Sequence, residues 1–321
     1  MKGIAFIALA FLASGAAAQE VSLNVGHVLD LKHPVHLAGL KASEDAAKRS
    51  SGRLKLNIFP ASQLGSDREM LTNTQSGTIA GMIEATTKLV TFVPQFGVLD
   101  LPYLATTREQ AFRFLDSPVV AEELIKRADA AGFHIVGFWE VTLRNVYTRT
   151  KVINSANDLK GLKMRVIPSP SFVTLFRALG TNPTPMPFGE LYTALQQGVV
   201  DGAENDIVTY QGVKHFEVAK HLAITNHMML INAFFLNTGV WNRIPKDLQK
   251  ILQDVSAEGR RNVNEARDER EKSVLAELKA AGVSVTTPDL KPFVATGRST
   301  YKEFEQKLGR ELIDKVVATA K

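Results

Sequence analysis

Two arginines have the residue type and the placement to bind an anion. Arg165 interrupts an otherwise apolar run at residues 162–166, and Arg144 follows an apolar run that ends at Trp139. Burying an unpaired charge is costly, so each arginine needs a negatively charged partner. A planar guanidinium matches a carboxylate with two parallel hydrogen bonds. That carboxylate belongs either to a bound ligand or to the protein itself, and residue type alone leaves both alternatives open.

Three histidines and two acidic residues are the other candidates for chemistry. His27, His33 and His36 have a spacing that zinc sites use, but no further ligand cluster accompanies them. We expect His33 and His36 to flank the start of a helix instead. Asp201 and Glu204 could act as an acid–base pair only if both faced a cleft. We expect Asp201 to organise a turn and Glu204 to hold neighbouring basic groups.

The chain lacks the short motifs of several large enzyme classes. It contains no GxSxG, HExxH, GxGxxG or GxxxxGK[ST] pattern. It also has no cysteine, which excludes thiol nucleophiles, disulfides and Cys-ligated metal centres. These features favour a binding protein over an enzyme, and we expect neither a cofactor nor a resident metal. An enzyme that uses Asp201 and Glu204, or the histidines, stays an alternative.

The first 18 residues have the pattern of a secretory signal peptide. Lys2 precedes an apolar run at residues 3–12, and residues 16–18 form a small-residue pattern with a cleavage site after Ala18. A membrane span needs about 20 apolar residues, and this run is shorter. We therefore expect an exported, periplasmic protein.

The charge balance does not favour a nucleic-acid partner. The formal net charge is +5, from 38 Lys and Arg against 33 Asp and Glu. Charges of both signs alternate along residues 267–272, as is typical of a solvated helix face. We expect no nucleic-acid binding.

Alternating strand and helix patterns in the first half predict an α/β fold. The predicted strands are residues 21–25, 54–59, 82–83, 98–101 and 134–139. The predicted helices are residues 36–50, 67–76 with Ser66 as N-cap, and 111–130. Strands that alternate with helices predict a mainly parallel sheet with helices on both faces.

The same pattern restarts in the second half. The predicted strands are residues 162–166, 184–187, 199–203 and 230–236, and the predicted helices are residues 169–179, 189–197 and 213–222. Residues 245–281 predict one long helix that braces two domains. About 300 residues exceed what one core usually holds. The absence of a linker sequence predicts several chain crossings between the two domains.

Six ordered segments resemble the extracytoplasmic solute receptors of tripartite ATP-independent periplasmic (TRAP) transporters, the DctP family. They are residues 59–71 (FPASQLGSDREML), 99–103 (LDLPY), 158–166 (DLKGLKMRV), 183–188 (PTPMPF), 190–205 (ELYTALQQGVVDGAEN) and 224–227 (ITNH). The likeness extends over essentially the whole chain after residue 18. It implies an α/β, two-lobed periplasmic binding protein that closes around one organic acid. It also implies delivery of that acid to membrane permease subunits whose uptake is driven by an ion gradient.

The resemblance implies a set of ligand-binding residues. Arg165 matches the family's carboxylate-binding arginine, and Arg144 matches a second arginine after the last strand of the first domain. Asn205 matches a pocket position, Phe188 matches an aromatic residue that packs on the ligand, and Trp139 is expected beside it. Hydroxyl groups of the ligand are expected to contact polar side chains. The complete expected set is Arg165, Arg144, Asn205, Phe188, Trp139, Asp206, His27 and Thr86.

The identity of the ligand is indicated by departures from the family pattern. A pocket glutamate of the sialic-acid branch matches Ala85 here, which argues against that ligand. Asp206 follows Asn205 where many members have proline, as in receptors for sugar acids. A second carboxylate would be repelled by Asp206, whereas a hydroxyl can donate to Asp206 and accept from Asn205. We expect a sugar acid such as a uronate or aldonate. A C4-dicarboxylate and an aromatic, hydroxy or 2-oxo acid stay open, as does a receptor that signals without transport.

The resemblance also implies how the chain divides. We expect lobe I to comprise residues 19–142 plus 231–270, and lobe II to comprise residues 143–230 plus 271–321. Chain crossovers join the lobes, the long helix braces them, and we expect a monomer.

Overall fold

The computed structural model describes residues 20–320. The predicted signal peptide at residues 1–18 lies outside this part of the chain. The strands are β1 (Val21–Gly26), β2 (Leu54–Phe59), β3 (Gly81–Ala85), β4 (Phe133–Thr148), β5 (Lys163–Val166), β6 (Asn182–Pro185), β7 (Gly202–Asn205), β8 (His221–Asn237) and β9 (Ser284–Thr286).

The helices surround this set of strands. They are α1 (Pro34–Arg49), α2 (Asp67–Ser76), α3 (Arg108–Leu115), α4 (Pro118–Val120), α5 (Lys126–Ala130), α6 (Pro170–Ala178), α7 (Leu191–Gln197), α8 (Ile207–Gly212), α9 (Thr238–Arg243), α10 (Lys246–Ala280), α11 (Lys291–Ser299), α12 (Tyr301–Leu308) and α13 (Arg310–Thr319). A π-helical turn at Ala121–Ile125 joins α4 to α5. Short 3-10 segments are Thr86–Thr91, Pro94–Asp100, Ala156–Leu159, Phe188–Glu190 and His215–Glu217.

One mixed sheet runs through the molecule in the order β2-β1-β3-β8-β4-β7-β5-β6, with β9 paired to β8. The outer strands are parallel in each half: β1 pairs with β2 and β3, and β5 pairs with β6 and β7. The two central strands, β4 and β8, are antiparallel to each other. The predicted parallel arrangement is therefore confirmed for the outer strands and wrong for the centre.

The central strands β4 and β8 are long because they belong to both halves of the molecule. Strand β3 pairs with residues 232–236 of β8, and β7 pairs with residues 145–148 of β4. The register between β4 and β8 shifts at three places, so the pair bends along its length. The predicted chain crossovers are confirmed, and these two strands form two of them.

Four apolar clusters cover the two faces of the sheet in each half. On β3, Met82 points into one cluster of the first half and Ile83 into the other. On β4, Val146 and Tyr147 divide in the same way between the two clusters of the second half. This period-2 division is what a sheet buried on both faces requires.

Helix α10 packs on both halves of the molecule. Its 35 residues give a length of about 52 Å at 1.5 Å per residue. Leu252 and Val263 belong to a cluster of the first half, and Val274 and Leu278 belong to a cluster of the second. The predicted bracing helix is confirmed.

The capping residue predicted for α2 is also confirmed. The Ser66 side chain accepts from the backbone N–H of Glu69 at 3.3 Å, and the Glu69 carboxylate accepts from the backbone N–H of Ser66 at 2.8 Å. This reciprocal capping box fixes the start of the helix. It places Asp67 at the first helical position, beside the cleft between the two halves.

Three predicted elements differ from the structure. Residues 98–101 form part of the 3-10 segment Pro94–Asp100, because an apolar run without periodicity does not distinguish a buried strand from a helical turn. The predicted helix at 111–130 is interrupted before Pro118. Proline has no backbone N–H to donate, and its ring disfavours the helical conformation of the residue before it. The predicted helix at 213–222 is wrong, since α8 ends at Gly212 and β8 begins at His221.

The C-terminal helices α12 and α13 differ from the predicted division of the chain. Residues 271–321 were assigned to lobe II, but Phe304, Leu308 and Val316 pack in a cluster with Phe96 and Phe133 of the first half. The apolar faces of α12 and α13 therefore cover lobe I. Only α11, through Phe293, joins a cluster of the second half.

Gly259 lies where α10 contacts the indole of Trp139. A Cβ at Gly259 would lie 2.9 Å from Cζ2 of that ring. We expect Gly259→Leu to overpack this contact and to lower the free energy of unfolding by about 1–3 kcal/mol, measured by urea denaturation. Gly189→Ala is the control, because a Cβ there meets nothing within 4 Å. Equal unfolding free energies for both variants would contradict this packing.

Candidate functional site

A cavity lies between the two halves, at the carboxyl ends of β3, β5 and β7. Open α/β sheets bind ligands outside the carboxyl ends of their strands. The wall consists of Val28, Leu29, Asp67, Glu84, Ala85 and Lys88 from the first half, Arg144, Arg165, Ile167, Phe188, Asn205, Asp206 and Thr209 from the second, and Leu230 and Asn232 from β8. Of the expected residues, Arg165, Arg144, Asn205, Phe188 and Asp206 line this cavity.

Arg144 forms a buried ion pair with Glu204 of β7. Its Nε and Nη2 donate to the two carboxylate oxygens, with Nη2 at 2.9 Å from Oε1, and its Nη1 donates to Oδ1 of Asn205 at 3.0 Å. Burial would raise the pKa of Glu204, but Arg144 and the nearby His227 outweigh burial and lower it. The expectation that Glu204 holds a basic group is confirmed. Arg144 therefore has its carboxylate within the protein.

Arg165 has no such carboxylate partner. It is 1% exposed, and its Nε and Nη2 donate to the backbone oxygen of Met186 at 3.1 and 2.7 Å. Among residues 20–320, its Nη1 has no hydrogen-bond partner and no acidic side chain forms a salt bridge with it. Burial lowers the pKa of the Arg165 guanidinium, and the charge of Arg144 acts in the same direction. The Phe188 ring centroid lies 5.9 Å from this guanidinium.

Asp206 lines the cavity and also caps α8. Its Oδ1 accepts from the backbone N–H groups of Val208 and Thr209 at 3.0 and 2.9 Å. The same oxygen accepts from Nη1 of Arg267 at 2.9 Å, and Nε of Arg267 donates to Glu140 at 2.8 Å. Burial would raise the pKa of Asp206, but Arg267, His33 and the hydrogen bonds from Thr209 together lower it. Asp206 therefore links α8 to the long helix α10.

Trp139 is the expected ligand neighbour that does not line the cavity. It is 1% exposed, and its Nε1 donates to Oγ of Ser256 on α10 at 2.8 Å. Its ring packs against Phe234 with centroids 5.7 Å apart. The position of Trp139 is therefore corrected, since it belongs to the interface between β4 and α10.

His27 also lies outside the cavity wall. Its Nε2 lies 3.0 Å from Nδ1 of His36, and its Nδ1 accepts from the backbone N–H of Leu29 at 3.2 Å. Burial lowers the pKa of His27 to about 3, and the charges of His36 and His33 act in the same direction. His27 is therefore neutral at neutral pH and shapes the loop that brings Val28 and Leu29 to the wall.

The remaining two expectations concern Thr86 and the start of α1. Thr86 is 1% exposed and does not line the cavity, while its neighbours Ala85 and Lys88 do.

His33 caps α1, because its Nδ1 accepts from the backbone N–H of Val35 at 3.2 Å. The expectation that His33 flanks a helix start is confirmed. Its Nε2 lies 3.3 Å from Oγ1 of Thr209, so it also joins the two halves across the cleft.

Five polar wall residues were missed by the sequence reasoning, namely Asp67, Glu84, Lys88, Thr209 and Asn232, and Glu84 had a clear signal. Glu84 is a charged residue inside the otherwise apolar strand β3, and Arg165 was recognised as a candidate by the same pattern in β5. Lys88 and Asp67 form an ion pair at 2.5 Å beside it. Asn232 of β8 donates to Glu140 at 2.6 Å.

Two negative observations concern the described part of the chain. Within residues 20–320, no group of three or more histidine or acidic side chains is arranged to hold a metal ion. None of the helices in this range is long and apolar enough to cross a membrane.

The fold and the site define a class of protein. Two α/β halves joined by crossing strands enclose a cavity with a buried guanidinium that has no acidic partner, as in a two-lobed receptor for a small anion. The chain belongs to the bacterial extracellular solute-binding protein family 7 (DctP), whose model matches residues 25–307. This confirms the resemblance to TRAP receptors. The family consists of binding receptors of transporters and not of enzymes.

Three similar proteins illustrate the family. The 2,3-diketo-L-gulonate-binding periplasmic protein YiaO of Escherichia coli is 30% identical over 278 residues, which are 87% of this chain and 84% of YiaO. The sugar acid binding protein DctPAm from Advenella mimigardefordensis, solved with galactonate, has a TM-score of 0.90 at 26% identity and covers 94% of this chain and 98% of its own. A TRAP periplasmic solute binding protein from Sulfurospirillum deleyianum, solved with succinate, has a TM-score of 0.88 at 27% identity, with 94% and 99% covered.

Removal of the Arg267 charge tests the link between α8 and α10. Arg267→Met would leave the carboxylates of Asp206 and Glu140 buried without their shared partner. We expect a loss of about 3–5 kcal/mol in the free energy of unfolding, measured by urea denaturation at neutral pH. Arg270→Met on the same helix is the matched control, since its pair with Glu277 is exposed and should contribute about 0–1 kcal/mol. A small effect of Arg267→Met would show that these carboxylates do not need Arg267.

Proposed function

We propose that this chain is the exported receptor of a TRAP transporter, and that Arg165 binds the carboxylate of its ligand. The observation behind this proposal is the guanidinium of Arg165, which is buried, has no acidic partner among residues 20–320 and lines the cavity. A ligand carboxylate supplies both the missing charge and an acceptor for Nη1. Arg144 contributes less to affinity, because Glu204 already neutralises it.

The proposed ligand is a sugar acid such as an aldonate or uronate. The cavity wall is rich in polar groups besides the arginines, and these suit hydroxyl groups better than an apolar acid. The proteins that bind galactonate and 2,3-diketo-L-gulonate support this choice by similarity. The succinate-binding relative favours the second candidate, a C4-dicarboxylate.

We also propose a periplasmic, monomeric protein whose predicted signal peptide directs export. Lobe I would comprise residues 19–142 plus 231–270 with α12 and α13 packed on it, and lobe II would comprise residues 143–230 plus the remainder of residues 271–321, from the end of α10 through α11. The core clusters support this division, because Val141 packs in the first half and Val146 in the second.

The proposed mechanism is closure of the two lobes around the acid. Arg165 and Asn205 come from the second half, and Glu84 and Lys88 come from the first, so the complete set of partners exists only when the halves are together. A ligand shifts the equilibrium only by its differential affinity for that closed state. Exclusion of water then strengthens the charge-assisted hydrogen bonds.

Substitution of Arg165 tests the proposed function directly. We expect Arg165→Ala to weaken galactonate binding by about 30- to 3,000-fold, because a buried charge-assisted pair is lost, at about 2–5 kcal/mol. Arg165→Lys should restore affinity only in part, since an ammonium lacks the planar fork. Titration calorimetry measures both affinities. Arg177→Ala is the control, because Arg177 lies on the exposed side of α6, and it should bind galactonate with wild-type affinity. Tight binding by the alanine variant would refute the assignment.

A ligand screen by thermal melting tests the ligand class. A ligand that binds only the folded protein stabilises it by about 2.7 kcal/mol at a hundredfold excess over Kd. We expect clear increases in Tm with galactonate or glucuronate, and smaller ones with succinate or an aromatic 2-oxo acid. If Tm increased only with succinate, the ligand class would be the C4-dicarboxylates. Increases confined to amino acids, neutral sugars or metal ions would contradict the carboxylate receptor.

A further inference from the structure

Glu84 is a buried acid in the cavity wall that belongs to none of the ion pairs described above. It lies on β3, is 7% exposed, and lines the cavity beside Lys88 and Asp67. Its Oε1 accepts from the backbone N–H of Ala85 at 2.9 Å, while its Oε2 is buried with no hydrogen-bond partner among residues 20–320.

Lys88 does not satisfy this oxygen, because its Nζ donates to Oδ2 of Asp67 at 2.5 Å. A buried acceptor without a donor costs the full desolvation of that group. The same argument applies to Nη1 of Arg165, which is a buried donor without an acceptor. Among residues 20–320, Oε2 of Glu84 on the first half and Nη1 of Arg165 on the second are the fully buried atoms of wall residues that have no hydrogen-bond partner.

A hydroxylated monocarboxylate satisfies both groups. Its carboxylate accepts from Arg165, and one of its hydroxyl groups donates to Glu84. A second carboxylate has no hydrogen to donate, and it would be repelled by the negative charge of Glu84. The two polar groups thus distinguish a sugar acid from a diacid of similar length.

We infer that Glu84 is the specificity-determining residue of this cavity, and that its Oε2 accepts a hydrogen bond from a ligand hydroxyl. The inference rests on the proposed function of Arg165 and deepens it, since it assigns the discrimination between sugar acids and diacids to one side chain. It differs from the expectation drawn from the sequence, in which Asp206 accepts the ligand hydroxyl. Oδ1 of Asp206 is already engaged by α8 and Arg267, which leaves only Oδ2 of that carboxylate for a ligand hydroxyl.

The surroundings of Glu84 make this interaction sensitive to pH. Burial raises the pKa of Glu84 to about 7; Lys88 opposes the rise and Asp67 adds to it. Of the neighbouring strands, β1 leads into the neutral His27, and β8 presents Ala233 and Asn232. One strand further, Glu140 is paired with Arg267. Protonation of Glu84 removes the charge that a hydroxyl donates to, so affinity for a hydroxylated acid should fall as pH decreases below about 7.

Titration calorimetry of the full chain with galactonate and succinate tests the inference. For wild type, galactonate affinity should fall several-fold between pH 8 and pH 5.5. Glu84→Gln should bind galactonate about 10- to 100-fold more weakly at pH 8, because a hydrogen bond to a charged group is lost, and its affinity should no longer change with pH. Succinate should bind Glu84→Gln as well as or more tightly than wild type. Glu84→Met should show the same change of preference between galactonate and succinate. Agreement of the two variants would exclude a folding defect of the glutamine variant as the cause.

Asp100→Asn is the matched control. Asp100 is another buried acid whose pKa burial raises to about 7, but it is held by Thr87 and Ser169 and does not line the cavity. It should keep the wild-type preference for galactonate over succinate. The inference would be overturned if Glu84→Gln bound galactonate with wild-type affinity, or if the wild type bound galactonate more tightly at pH 5.5 than at pH 8. In either case the proposed function would stand if Arg165→Ala still weakened binding as expected. A wild-type protein that binds no organic acid would overturn both.

Discussion

The buried charge of Arg165 is the constraint on which the rest of the site depends. Three arginines, Arg144, Arg165 and Arg267, are almost fully buried. Arg144 and Arg267 have acidic partners in the protein, whereas Arg165 has only a backbone oxygen among residues 20–320. Isolated buried charges are unstable unless something pairs with them. The fold therefore holds a cation at the end of β5 that, under the proposed function, a bound carboxylate would pair with.

The two paired arginines explain how the fold tolerates this third one. Arg144 and Glu204 join β4 to β7, and β7 ends at the cavity. Arg267 joins Asp206 of α8 to Glu140 of β4. Both arginines hold neighbouring elements of the wall at fixed positions; Arg144 and Glu204 cancel each other's charge, whereas Arg267 is shared by two carboxylates. The donor groups of Arg165 are thus preorganised, and a ligand does not have to order them at the moment of binding.

The sequence was sufficient for many of the elements and for the arginines but not for the side-chain directions. Apolar periodicity located β1, β2, α2 and α10, and a charge inside an apolar strand located Arg165. Trp139 could not be placed, because the pairing of β4 with β8 shifts register between Phe138 and Glu140. Such a bulge reverses which face a residue occupies and leaves no pattern in one sequence. The additional role of Asp206 as the N-cap of α8 was missed, because periodicity placed a helix at residues 213–222 instead of at Ile207–Gly212.

The position of Arg267 on α10 couples the two halves more tightly than a simple brace would. The helix packs on the first half up to Val263 and on the second half from Val274, so Arg267 lies where its packing partner changes. Arg267 holds Glu140 of the crossing strand and Asp206 of the second half together. Separation of the halves at α8 must therefore either move this part of α10 with α8 or expose Asp206 to water. A third course, in which Asp206 stays buried but loses Arg267, would cost more than either, because it leaves a buried carboxylate unpaired. Opening of the cleft thus requires hydration of Asp206 or bending of α10 near Arg267, and closure around a ligand reverses that change.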